Sequence, residues 1–123
     1  MEYFSFLGNF MNPNKKYLME KRELEEQVKR LSFAIEATMD DIGRHLQNQG
    51  NNLPVIQSLA INIENYCLHL LELKAKSGME SLPVRPSLGP AFMTLTVRFA
   101  ALGDEYRKIY LRLERIMNRV LSL

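Results

Sequence analysis

Phe92, Leu95, Phe99, Leu102, Tyr106, Ile109, Leu113, Ile116, Val120 and Leu123 follow one another at alternating spacings of three and four residues. A strand repeats every two residues and cannot keep such a row on one face, whereas a helix places all ten along one stripe. The row lasts more than four heptads, the pattern of a helix that packs lengthwise along other helices. Gly89-Pro90 marks its start, so the spacing predicts a helix over 91–121, close to 50 Å long at ~1.5 Å per residue. Gly103 is its weak interior point and is read as a kink.

Two further segments carry the same rhythm. Ile56, Leu59, Ile63, Tyr66, Leu70 and Leu73 form a seam within 53–77, entered through Asn52 as N-cap and left through Gly78. Leu24, Val28, Leu31, Ile35 and Ile42 form another within 14–47, where Glu25 with Lys29 and Glu26 with Arg30 add four-residue ion pairs. The Asn48-Gln49-Gly50-Asn51-Asn52 break predicts an antiparallel hairpin of the first two helices. A Pro- and Gly-containing link over 78–90 then returns the chain for the third.

The expected fold is therefore all-α: three long helices in an antiparallel coiled-coil-like bundle forming one domain over 1–123. Two observations suggest that homodimerisation completes it. The first and third helices exceed the second by about ten residues each, leaving an overhang for the link, the N-terminal segment or a second copy to cover. The second helix also carries another apolar row, Ile61, Leu68 and Ala75, opposite its seam, with Ala60, Cys67 and Leu71 widening the coverage. Two apolar faces require two partners: both other helices of its own bundle, or one helix and a second chain.

The first twelve residues stand outside the heptads. Tyr3, Phe4, Phe6, Leu7 and Phe10 give this head three of the six phenylalanines of the chain. No basic residue precedes it and no small-residue cleavage pattern follows, so it reads as a lid over the bundle or an anchor for a partner rather than a signal peptide. A membrane anchor is disfavoured for the same lack of preceding charge.

Composition narrows the function by exclusion. Sixteen Lys and Arg against fourteen Asp and Glu leave +2, too little to imply a polyanionic partner without a local patch. One cysteine, Cys67, is read as a packed, inert thiol, and its isolation points to a reducing, cytoplasmic location. Cys67 and His69, two residues apart on a helix, face different sides and make a poor chelate, and His45 is the only other histidine. Neither phosphate-loop glycines nor a metal-ligand spacing occurs, so no cofactor, metal or catalytic residue is assigned and the chain is expected not to be an enzyme.

What remains is a non-catalytic helical interaction protein, an adaptor, chaperone or inhibitor, binding a protein partner and itself. Its expected interface is Phe4, Phe6, Leu7 and Phe10 of the head with Ile61, Leu68 and Ala75 of the second helix. The alternative is a nucleic-acid-binding accessory protein. Lys108, Arg112, Arg115 and Arg119 share one helix face and would lie along a phosphate backbone, although nothing aromatic or Gly-rich accompanies them.

Overall fold

The computed structural model describes residues 13–47 and 52–123. Among the described residues every regular element is helical: α1 (Pro13–Gln47), α2 (Leu53–Ser77), α3 (Leu88–Ala100) and α4 (Asp104–Leu121). The first two match the predicted bounds closely. The third does not: the helix expected over 91–121 is two helices, and the link ends at 87 rather than 90.

The break folds the chain back on itself. The Tyr110 ring lies 6.1 Å from both Phe92, in a stacked arrangement, and Phe99. In one continuous helix residues 92 and 110 would stand about 27 Å apart. The reversal takes three residues. The Leu102 N–H donates to the Phe99 carbonyl and closes α3, then the Gly103 carbonyl accepts the N–H groups of Tyr106 and Arg107 and opens α4. Asp104 and Glu105 in the first turn of α4 favour a helix start there through their charge. Leu102, predicted in the core, sits in this turn and is 37% exposed.

The two hairpins stack. α1 packs directly against α2 and α3, and α4 against α2 and α3, while the backbones of the diagonal pairs stand farther apart. Glu36 of α1 binds Arg85 (3.0 Å) and Ser87 (2.7 Å) just before α3, and the end of α3 brings Arg98 over Gly43, so α3 runs parallel to α1. Arg112 pairs with Glu64 at 2.6 Å, and the Sγ of Cys67 lies 3.7 Å from the Sδ of Met117, so α4 runs parallel to α2. The reversal also removes the overhang expected of the third helix. α1, at 35 residues against 25 for α2, keeps its own, and Lys21, Arg22 and Glu23 are exposed there.

The core lies between the hairpins. Val28, Ile35, Ile42, Ile56, Ile63, Leu70, Phe92, Leu95, Phe99, Ile109, Leu113, Ile116 and Val120 of the predicted seams are buried, joined by Met39, Leu82, Leu88 and Met117. On α2 the buried row is Ile56, Ala60, Ile63, Cys67 and Leu70, with the predicted Leu59, Tyr66 and Leu73 half-buried at its edge. The stripe is rotated because α2 must face α1 and α4 at once, and its centre lies between the two contacts.

The connections are tied to this core. In the link, the Arg85 N–H reaches the Oγ of fully buried Ser32 at 3.4 Å, the Arg85 guanidinium lies 5.4 Å over the Phe33 ring, and the Leu82 N–H donates to the Leu123 carbonyl at 3.0 Å. Gly78 ends α2 in the left-handed conformation at φ 67°, which favours glycine. Asn52 does not cap α2 with its side chain; its amide donates instead to the His45 carbonyl of α1 at 3.2 Å, closing the hairpin.

Candidate functional site

The titratable residues are dispersed and form no reactive cluster among the described residues. Cys67 is fully buried in the α2–α4 seam, and burial, reinforced by the nearby Glu64 charge, pushes its thiol up to about 12. His69 is exposed, so the two do not form a pair. Among the described residues no group of three His, Cys, Asp or Glu side chains is placed to hold a metal ion. The Tyr110 hydroxyl donates a hydrogen bond to the Glu114 carboxylate, and that bond holds the proton on the phenol and raises its pKa above the ordinary value. This pair lies between α3 and α4, where it reinforces the hairpin.

The surface is more informative. Ile61 and Leu68 are 49% and 51% exposed and Ala75 is also exposed, so this row of α2 is covered by none of the other described helices. Ile61 borders a groove of about 450 Å³ between α2 and α4, with Leu53, Gln57, Glu105 and Lys108 along its walls. Phe4, Phe6, Leu7 and Phe10 lie outside the described residues.

Lys108, Arg112, Arg115 and Arg119 all project from α4 into solvent. They are not equivalent, because Arg112 is committed to Glu64, whose side chain is only 18% exposed. Arg115 and Arg119 have no carboxylate within ion-pair distance among the described residues.

A surface that the sequence did not single out lies on α3. This helix turns Ala91, Leu95 and Arg98 to α1 and Phe92 and Phe99 to α4, yet its outer side is apolar as well, with Met93 65% and Val97 71% exposed. The signal was present: residues 88–103 carry a single charge, Arg98. A helix that is apolar all round needs cover on every side, and in a hairpin at the surface α3 receives it on only part of its circumference.

The groove between α1 and α3, about 310 Å³, is lined by Asp40, Gly43, Arg44, Gln47, Thr94 and Arg98, among others. A Cβ at Gly43 would come within 2.7 Å of Nη1 of Arg98, the far end of a flexible side chain with open groove beside it. Gly43→Ala is therefore expected to raise stability by about 0.5–1 kcal/mol through helix propensity, with Arg98 swinging aside. Urea denaturation checks it, and a loss of stability would mean that Arg98 is held in place.

Set beside family models, curated proteins and solved structures, the chain matches none of them. All-α four-helix packing of two stacked hairpins is the class that the structure defines, and no helix among the described residues is long and apolar enough to cross a membrane.

Proposed function

We propose that this chain is a non-catalytic helical interaction protein, an adaptor, chaperone or inhibitor that works through apolar helix surface. The observation that carries the reading is the exposure of Met93, Val97, Ile61 and Leu68, each about half exposed or more, on a bundle that buries its other apolar rows in one core. Large apolar side chains in rows, rather than singly, mark interaction surface. The row on α2 is assigned to self-association: two copies related by a two-fold axis would each cover the other's Ile61 and Leu68.

Light scattering at micromolar concentration tests the assignment. The expected mass is twice 14.3 kDa for the parent chain and 14.3 kDa for Leu68→Glu. A monomeric parent removes the dimer. The nucleic-acid alternative keeps one supporting observation, the exposed Arg115 and Arg119, which pair with no carboxylate among the described residues. A pull-down split by nuclease treatment separates the two classes: a protein partner survives the treatment, whereas recovery that depends on nucleic acid overturns the interaction reading.

A further inference from the structure

The sequence carries its charge unevenly. Residues 13–80, which hold α1 and α2, have nine Lys and Arg against ten Asp and Glu; residues 81–123, which hold α3 and α4, have seven against three. No acid occurs between Ser81 and Gly103, and two of the three acids, Asp104 and Glu105, sit in the first turn of α4. The third, Glu114, is half-buried and engaged by the Tyr110 hydroxyl. Beyond Glu105 the exposed charges of α4 are all basic.

The packing decides where those charges point. Tyr110 and Glu114 of α4 face α3, while Lys108 and Arg112 line its α2 side. Arg107, Leu111 and Arg115 face neither neighbour and are exposed, Leu111 at 39%. The seating of Tyr110 between Phe92 and Phe99 sets the antiparallel register, which puts Leu111 level with residues 94–95, between Met93 and Val97, Arg107 level with residues 98–99 and Arg115 level with residues 90–91. Four side chains from two helices thus form an apolar strip, Met93 and Val97 with Leu111 and, near Gly89, Leu121, edged by guanidinium groups.

We propose that this outer face of the α3–α4 hairpin docks an acidic amphipathic helix of a partner protein. The inference rests on the interaction reading above and names the partner's chemistry. A helix laid along α3, itself 13 residues and about 20 Å long, would bury Met93 and Val97 under its apolar stripe and bring flanking carboxylates to Arg107 and Arg115. A second copy docking through the same face would oppose guanidinium to guanidinium, which is unfavourable. A phosphate backbone would satisfy the arginines and leave the apolar strip uncovered, and what favours a helix is that one ligand answers both features.

Fluorescence anisotropy with the full chain tests the proposal, using as probe a labelled 18-residue helical peptide of Leu and Glu with its leucines on one face. The expected result is micromolar binding that weakens at least tenfold when Lys replaces Glu in the peptide and on raising salt from 50 to 500 mM. Val97→Glu and the double variant Arg107→Glu/Arg115→Glu should each weaken it at least tenfold too. These positions are exposed, so circular dichroism and melting should match the parent. Absence of binding, equal binding of the Lys peptide, or unchanged binding by both variants would overturn it. So would tighter binding to duplex DNA or to phosphatidylserine vesicles than to the peptide. Self-association through Ile61 and Leu68 is read separately by light scattering, so loss of the docking proposal with the dimer intact leaves the broader reading standing.

Discussion

Replacing Leu70 or Leu113 by alanine should cost about 2–5 kcal/mol of unfolding free energy. Leu70 is fully enclosed on α2 and Leu113 is 1% exposed on α4, so each truncation leaves a void that surrounding helices cannot fill without moving. Against the ~5–15 kcal/mol that holds a domain of this size, either loss should lower the melting temperature by about 10–20 °C. Leu68→Ala is the internal control. Leu68 stands two residues from Leu70 on the same helix but is half exposed, and the same truncation in a monomer should stay within about 0.5 kcal/mol. Denaturant titration of all three variants at a concentration below any dimer transition checks the contrast. A loss below about 0.5 kcal/mol at Leu70 and Leu113 would put those residues at the surface.

The native thiol of Cys67 should react with a disulfide reagent at pH 8 at least a thousandfold more slowly than in the unfolded chain. With its pKa pushed up to about 12 by burial and by Glu64, and no solvent contact, only opening of the α2–α4 seam exposes a thiolate. The same displacement makes stability depend on pH. Above pH ~9 the unfolded chain loses the thiol proton while the folded chain keeps it, so the unfolded state binds fewer protons and stability falls as pH rises toward 12, by at most ~1.4 kcal/mol per pH unit. Tyr110, whose phenol is also raised, contributes in the same direction above pH ~10. Cys67→Ala should lose the part of the decline that begins near pH 9 and keep the part due to Tyr110. Melting curves from pH 8 to 10.5 read the difference, and a variant whose decline matches the parent would show that the thiol is not the group responsible.

The rows of α2 show why core positions were legible to within one helix face but not to the residue. Period alone put Ile56, Ile63 and Leu70 inside. It cannot say whether the stripe widens toward Leu59, Tyr66 and Leu73 or toward Ala60 and Cys67, because both sets keep the spacing of three and four. The position of α4 on that flank settles it in favour of Ala60 and Cys67. The candidate surfaces divide likewise. Ile61, Leu68 and Ala75 were visible as a second row because they stand opposite a well-defined seam. Met93 and Val97 were hidden, since in a helix thought to run on to residue 121 they read as flank residues of a long seam.

The sequence by itself determined that the chain is helical, where α1 and α2 begin and end, and, to within a neighbouring row, which face of each helix turns to the core. Those are local properties, set by the 3.6-residue period, by Pro and Gly punctuation and by side-chain size. Only the tertiary structure decided that the third segment turns back at residues 101–103. Phe99 and Tyr106 are seven residues apart on either side of the turn, so the heptad count passes through it unbroken, and a straight helix and a hairpin sharing one core carry the same pattern. The choice between them lies in long-range burial: the reversal seats Phe92 and Phe99 on Tyr110 and lays α4 along α2, and it leaves the outer side of α3 in solvent.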